Sequence, residues 1–148
     1  MEQVFVLSAV RTPIGKYGGG LAAVPPCDLA AKMVREAVRR SGAEPEQVGH
    51  AVFGHVIHTE IRDMYLARVA AVNGGLEVGT PALTLNRLCG SGLQAIVSAS
   101  QSIMLGDCDV AVAGGAESMS RAPYWLPGMR VPGQLAERGQ AAAGREGP

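Results

Sequence analysis

Cys89 is the residue of this chain whose surroundings best suit covalent chemistry. It stands in the segment Leu-Cys-Gly-Ser-Gly, between a strand-like run and a helix-like run. At the first turn of a helix, unpaired backbone N–H groups and the positive end of the helix dipole favour a negatively charged sulfur. A thiolate is the nucleophilic form of cysteine, and glycines beside it leave room for another molecule to approach. The sequence therefore makes Cys89 a candidate nucleophile, although many free cysteines serve only as small apolar core residues.

The other two cysteines, Cys27 and Cys108, are not expected to be catalytic. Cys27 precedes a predicted helix cap, and Cys108 lies in a turn before a predicted strand. Three cysteines do not make a disulfide framework, so a reducing compartment suits the chain better. A redox-active thiol protein is a further hypothesis, weakened because the sequence contains no Cys-x-x-Cys motif.

Composition indicates a globular domain without a nucleic-acid or membrane partner. The chain has 148 residues, of which 47% are hydrophobic, and its 13 basic and 13 acidic residues cancel. It has no basic stripe for nucleic acid, no polybasic cluster for a membrane surface and no apolar run that could span a bilayer. The first ten residues lack the basic region and long apolar stretch of a signal peptide. We therefore predict a cytoplasmic protein.

The elements that must position Cys89 alternate between strand and helix. We predict strands over residues 4–10, 50–57, 82–86 and 109–113, and helices over residues 29–40, 64–72 and 89–105. Asp28 and Asp63 are candidate N-caps of the first two helices, and Gly42 is a candidate stop after the first. This order builds an α/β fold with a mostly parallel sheet, and continuous apolar strands fit a sheet covered on both faces. Reactive groups in such folds lie at the carboxyl ends of strands, and Cys89 follows a predicted strand.

The predicted helix that starts at Cys89 has no charged face. No Lys, Arg, Asp or Glu occurs between Cys89 and Leu105. A helix without a polar face is usually packed on all sides. We therefore expect this helix to be buried, between layers of the fold or against a partner.

Three histidines lie close together in the sequence and suggest a metal site, but their spacing of five and three residues does not favour one. His50, His55 and His58 run along a predicted strand and the loop after it. On a strand, His50 and His55 point to opposite faces, so they cannot share an ion. Glu117 is expected to make a structural hydrogen bond or to cap a helix. The glycines at 18–20 predict a flexible loop, and those at 114–115 predict tight packing after a buried strand.

Four segments, in this order, resemble the motifs of the thiolase family, the acyl-CoA C-acyltransferases. They are residues 10–19 (VRTPIGKYGG), 62–71 (RDMYLARVAA), 85–103 (LNRLCGSGLQAIVSASQSI) and 113–124 (AGGAESMSRAPY). The likeness runs from residue 3 to about residue 126 and is closest to bacterial acetyl-CoA acetyltransferases and β-ketothiolases. It implies an incomplete thiolase N-terminal domain over residues 1–127, followed by a flexible or aberrant tail over residues 128–148.

The resemblance implies that Cys89 takes an acyl group from an acyl-CoA thioester. A second acyl-CoA, deprotonated at its α-carbon, then accepts that group and becomes a 3-ketoacyl-CoA; the reverse reaction is the thiolytic cleavage of fatty acid metabolism. The backbone N–H of Cys89 is the expected donor to an oxyanion. The family needs no cofactor or metal besides its CoA thioester substrates, and its full-length members are homo-oligomers.

In that family a later part of the chain supplies a histidine that activates the nucleophile and a second cysteine that acts on the α-carbon. The motifs that carry them, Asn-Glu-Ala-Phe, Gly-His-Pro and Cys-x-Gly-Gly-Gly, do not occur in these 148 residues. We therefore expect the chain alone to perform at most the first half-reaction. The alternative is a catalytically inactive or dimerising fragment, in which the strand over residues 82–86 pairs with a partner strand.

Overall fold

Helices and strands alternate along residues 3–125, the part of the chain that the computed structural model describes. In chain order they are α1 (Pro26–Ser41), β1 (Val48–Gly54), α2 (Leu66–Gly74), β2 (Ala82–Leu85), α3 (Ser91–Met104) and β3 (Val110–Gly115). Short 3₁₀ helices occur at Pro45–Gln47, Ile61–Tyr65 and Met119–Arg121. None of the helices in this range is long and apolar enough to cross a membrane. The predicted tail over residues 128–148 lies outside the described residues.

The three strands form one parallel sheet in the order β2-β1-β3. This confirms the predicted α/β class with its parallel sheet. Because the strands are parallel, their carboxyl ends lie along one edge, where Gly54 of β1 is opposite both Leu85 of β2 and Gly115 of β3. The loops that leave this edge are therefore close in space.

Side chains of β1 alternate between two helical layers, as the period of a strand requires. Ala51 and Phe53 join the larger core under α1 and α2. Val52 points the other way and packs against Ala95 and Ala99 of α3. The buried members of the larger core are Cys27, Ala30, Val34, Val38, Val48, Ala51, Phe53, Leu66, Ala67, Ala70, Ala71 and Leu76.

Helix α1 begins earlier than the sequence predicts. Pro26 occupies its first turn, where a missing N–H costs nothing because that group would have no partner in the helix. Asp28, the predicted N-cap, therefore lies inside the first turn, where its charge complements the helix dipole. At the other end Gly42 adopts φ 77°, which confirms the predicted glycine stop.

The predicted strand over residues 4–10 is wrong for the described residues. No strand occurs there, and Phe5, Val6 and Leu7 are 72%, 80% and 59% exposed. The segment is tied to α1 by a hydrogen bond from Ser8 Oγ to the Ala37 carbonyl at 2.7 Å. Residues 4–12 and β3 instead line a shared cleft of about 610 Å³. The run is apolar, as the sequence shows, but among the described residues no strand pairs with it.

Residues 3–125 do not enclose the third helix on all sides, and its burial against a partner stays a prediction. Its face toward the sheet is covered, with Ala95 and Ala99 buried. Leu93, Ile96 and Val97 are 66%, 47% and 42% exposed, because no other described element packs over them. In the part of the chain that the structure describes, the charge-free composition therefore corresponds to an apolar surface on the side away from the sheet.

Candidate active site

The loop that carries Cys89 leaves the carboxyl edge of the sheet directly after β2. Cys89 is exposed, as a group that meets a substrate must be. Helix α3 begins at Ser91, with Gly90 as its N-cap, so Cys89 precedes the helix instead of starting it. The thiol still lies within one turn of the helix start, where the positive end of the dipole favours negative charge.

The turn between β2 and α3 is held by hydrogen bonds on both sides of Leu88. The Leu88 N–H donates to Asn86 Oδ1 at 2.9 Å, and the Leu88 carbonyl accepts from the Ser91 N–H at 3.0 Å. The Gly90 N–H donates to the Arg87 carbonyl at 3.1 Å. Leu88 itself has φ 50°, and it is the one non-glycine residue with positive φ among residues 3–125. The thiol is thus presented on a tight turn that follows this residue.

Close backbone packing fixes where α3 begins relative to the sheet. A Cβ added to Gly54 would lie 2.6 Å from the Ser91 Cβ and 2.8 Å from the Gly92 nitrogen. A Cβ added to Gly115 would lie 3.1 Å from the Gly54 carbonyl oxygen and 3.5 Å from the Gly92 Cα. Glycine is therefore required at Gly54, because only its missing side chain lets the helix start this close to β1. The predicted tight packing at Gly115 is confirmed.

Glu117 joins the loops after β1 and β3. Its carboxylate accepts the Val56 N–H at 3.0 Å and the Ile57 N–H at 3.1 Å. Beside it, His55 is 1% exposed, and its Nδ1 lies 2.7 Å from the Ala116 carbonyl oxygen. A carbonyl can only accept, so Nδ1 carries the proton in this contact. The predicted structural hydrogen bond of Glu117 is confirmed.

A second polar cluster lies under these loops and encloses Cys27. The Cys27 thiol donates to Asp63 Oδ1 at 3.1 Å, and both residues are fully buried. Burial, together with the hydrogen bond to the Asp63 carboxylate and its charge, raises the pKa of Cys27 to about 12. A thiol in this environment stays protonated near neutral pH. The prediction that Cys27 is not a nucleophile agrees with this environment.

Asp63 remains ionised in spite of its burial. Burial alone would raise the pKa of Asp63, but hydrogen bonds from Thr59, Cys27 and Glu60 outweigh it and lower that pKa below its usual value. The Thr59 N–H and Oγ and the Glu60 N–H donate to Oδ2 at 2.7, 2.8 and 3.1 Å. Asp63 was predicted only as a helix cap, and its role in enclosing Cys27 was missed, since residues 36 apart give no local signal.

The remaining thiol and the other histidines contribute no group to the Cys89 turn. Burial and the charges of Asp107 and Asp109 raise the pKa of Cys108. His50 Nδ1 lies 3.3 Å from Ser102 Oγ, on α3 rather than at the turn. Within residues 3–125, no histidine is hydrogen-bonded to the Cys89 sulfur, and no cluster of three or more His, Cys, Asp or Glu residues could hold a metal ion.

The first and fourth sequence motifs contact each other, and a residue that precedes the second motif reaches the fourth. The Gly18 N–H donates to Ser120 Oγ at 2.9 Å, so the glycine loop is attached to the segment after β3. Glu60, just before the second motif, lies 3.6 Å from Arg121. Since Arg121 also donates to the Ala23 carbonyl at 3.2 Å, these loops form one connected surface beside the sheet edge.

The site is thus an exposed cysteine on the turn between a parallel strand and an apolar helix, an arrangement open to nucleophilic chemistry at sulfur. Residues 4–143 match the family model for the thiolase N-terminal domain. The chain is 61% identical to β-ketothiolase BktB of Cupriavidus necator, over 93% of this chain and 35% of that protein. It is 45% identical to an acetyl-CoA acetyltransferase of the same organism, over 88% of this chain and 33% of that protein.

Solved structures agree with the sequence comparison. Human mitochondrial 3-ketoacyl-CoA thiolase in complex with CoA superposes with a TM-score of 0.85 at 40% identity, covering 88% of this chain and 33% of that one. The chain therefore belongs to the thiolase family, as its motifs indicated, and it matches the N-terminal domain. It spans about a third of the length of the relatives it matches.

Proposed function

We propose that Cys89 is the acyl-carrying nucleophile of a thiolase reaction on acyl-CoA substrates. Its sulfur attacks the thioester carbonyl carbon, a new carbon–sulfur bond forms, and the bond to the CoA sulfur breaks. CoA leaves and takes up a proton as the free thiol, while the acyl group stays on Cys89. The observation that carries this proposal is the exposed thiol held at the start of α3, beside the carboxyl edge of the sheet.

The chemistry of the three thiols supports Cys89 over the other two. Cys27 is enclosed with Asp63, and the pKa of Cys108 is raised by burial and two carboxylates. Both environments disfavour a thiolate, whereas the start of α3 favours negative charge. The Cys89 N–H is proposed as an oxyanion donor, because a fixed backbone dipole stabilises charge that develops as the carbonyl is attacked.

We infer that residues outside this chain carry the second half of the reaction. Removing a proton from the α-carbon of a second acyl-CoA needs a base, and among the described residues no histidine or second cysteine contacts Cys89. The chain of 148 residues is therefore expected to accept one acyl group and to form no measurable 3-ketoacyl-CoA. The CoA-bound state of the similar human mitochondrial thiolase supports CoA thioesters as the substrate class.

Incubation of the chain with acetyl-CoA, followed by intact and peptide mass spectrometry, tests the proposal. One acetyl group on the peptide that contains Cys89 is expected. Cys89→Ala abolishes labelling, whereas Cys108→Ala, the matched control, leaves it unchanged. Acetylation of Cys108 instead, or equal labelling of the Cys89→Ala variant, contradicts the proposal. Steady formation of acetoacetyl-CoA by the isolated chain contradicts the inference about the second half-reaction.

A second candidate function is dimerisation through the outer edge of β2. In the sheet order β2-β1-β3 of residues 3–125, only one side of β2 is paired, and Leu83 on it is 44% exposed. An edge strand presents unpaired backbone groups that can bind a strand of another molecule. Size-exclusion chromatography with light scattering distinguishes the outcomes. A monomer at high micromolar concentration argues against dimerisation and leaves the acyl-transfer proposal untouched.

A further inference from the structure

Leu88, directly before Cys89, is held in a conformation that side chains of its kind rarely adopt. Its φ of 50° lies in the left-handed region, where the Cβ of an L-residue crowds the backbone. Glycine enters this region without strain, and leucine does not. Other interactions of the turn must therefore stabilise this geometry.

Ser91 makes hydrogen bonds on both sides of Leu88. Its hydroxyl donates to the Leu88 carbonyl at 2.6 Å and accepts the Arg87 N–H at 2.8 Å. Its own N–H adds a second hydrogen bond to the same carbonyl at 3.0 Å. The Ser91 side chain thus links the Arg87 N–H to the carbonyl of Leu88 itself, and the strained φ torsion of Leu88 lies between these two groups.

Ser91 itself cannot shift easily. It is 5% exposed and lies against Gly54, where even one added carbon would be 2.6 Å from its Cβ. Its hydroxyl is therefore fixed relative to the sheet as well as to the turn. This gives the turn an anchor in the rigid part of the fold, which a loop residue bonded only to its neighbours does not provide.

We propose that Ser91 is the positioning residue of the Cys89 thiol, acting by holding Leu88 in its left-handed conformation. This rests on the proposed function, in which Cys89 carries the acyl group. Without the hydroxyl, Leu88 relaxes toward ordinary negative φ, and the following residue rotates away from the start of α3. The sulfur then leaves the exposed position on the turn before α3 from which it can meet a reagent.

The role is tested by the rate at which iodoacetamide alkylates Cys89, with Cys108 in the same molecule as the internal control. Ser91→Ala is expected to slow alkylation of Cys89 about tenfold, since the two hydrogen bonds of the hydroxyl are lost, and to leave alkylation of Cys108 unchanged. In a Leu88→Gly background the same substitution is expected to cost less than about twofold, because glycine needs no support at this torsion. Leu88→Ala is the matched control: it removes the same side chain but keeps the Cβ, so the tenfold loss persists.

Equal losses on Ser91→Ala in the leucine, alanine and glycine backgrounds would show a general packing role and overturn the proposal. So would an unchanged Cys89 rate in the native background. Because Ser91 is buried, the Ser91→Ala variant can fail to fold, so Leu88→Val provides an independent test. A β-branched residue tolerates positive φ poorly, so Cys89 is expected to slow with Ser91 intact, and an unchanged rate there contradicts the proposal.

The same variants treated with acetyl-CoA separate this inference from the proposed function. If the native chain forms no acetyl-Cys89 while the alkylation pattern above holds, the proposed function fails and the positioning role stands. If acetylation occurs but its rate does not depend on Ser91 in any background, the positioning role fails and the nucleophile stands.

Discussion

The two faces of the sheet differ in how completely residues 3–125 cover them. On the α1 and α2 face, twelve residues form one buried core that includes Leu66 and Phe53. On the α3 face, the buried apolar core consists of Val52, Ala95 and Ala99. The first face holds the main core of the described chain. The candidate nucleophile, Cys89, lies just before α3, the helix that covers the second face. Residues 3–125 therefore bury the α1 and α2 face of the sheet by themselves, whereas the outer side of α3, beside Cys89, remains exposed.

The same substitution on each face gives the largest contrast. Leu66 is fully buried and Leu93 is 66% exposed. Leu66→Ala is expected to lower the free energy of unfolding by about 2–5 kcal/mol, through lost burial and the cavity left behind. Leu93→Ala is expected to change it by less than about 0.5 kcal/mol. Urea denaturation of both variants measures this, and similar losses would mean that α3 is covered in solution.

The next largest loss of stability is expected from the buried polar cluster around Asp63, on the α1 and α2 face. Asp63→Ala removes an ionised acceptor of four hydrogen bonds and should cost about 2–4 kcal/mol. Because the folded state lowers the pKa of Asp63, its stabilisation is fully present above about pH 4 and is lost as the pH falls through the lower pKa of the folded state.

Urea denaturation of Asp63→Ala at pH 7 and at decreasing pH measures both effects. Asp107→Ala, at an exposed site, is the control and should differ from the native chain by less than about 0.5 kcal/mol. A difference between native and Asp63→Ala that is independent of pH down to pH 2 would contradict the assigned ionisation.

A substitution at Gly54, where β1 meets the start of α3, is expected to cause a smaller loss of stability than Asp63→Ala. Gly54→Ala forces a Cβ within 2.6 Å of Ser91 and should cost about 1–3 kcal/mol, because backbone must move to accommodate it. Since the displaced backbone is the start of α3, the alkylation rate of Cys89 should change as well. Gly20→Ala, whose added Cβ meets nothing within 4 Å, is the matched control and should leave both quantities unchanged. An unaltered melting curve for Gly54→Ala would show that the close approach is not rigid.

The last expected effect is absent at neutral pH, appears only in alkaline solution and is confined to the α1 and α2 face. The pKa of Cys27 is raised from 9.0 to about 12. The stabilisation of the folded state by the protonated Cys27 thiol is therefore fully present below pH 9 and is lost as the pH rises toward 12. In that window each proton lost on unfolding costs about 1.4 kcal/mol of stability per pH unit. Cys27→Ser keeps a donor for Asp63 but does not ionise, so its stability should fall less steeply with pH. Parallel curves for the two proteins between pH 9 and 12 would contradict this.

Local patterns determined most of the architecture. The alternation of apolar runs and amphipathic stretches predicted the three strands of the sheet and the three helices, and Gly42 correctly marked the end of α1. Boundaries shifted where local chemistry competed: Pro26 begins α1 ahead of Asp28, and α3 begins at Ser91 instead of Cys89. The candidate nucleophile was found because its residue type and its neighbours are contiguous in sequence.

Long-range contacts determined what the patterns missed. The run over residues 4–10 has the composition of a buried strand, yet pairing depends on whether another strand lies beside it. Likewise, the absence of charge in α3 predicted burial of the helix but not which element covers it. Asp63 and Cys27 are 36 residues apart, and no periodicity in the sequence predicts their hydrogen bond.

The sequence by itself determined the order of elements, the family and the thiol at the strand-to-helix turn, because propensity, turn chemistry and motif are local properties of the chain. Only the tertiary structure decided which thiol is enclosed and which is exposed, why residue 54 must be glycine, and that Ser91 spans the strained torsion of Leu88. Those features depend on distances between segments that meet at one edge of the sheet, and packing fixes such distances only after the whole unit has folded.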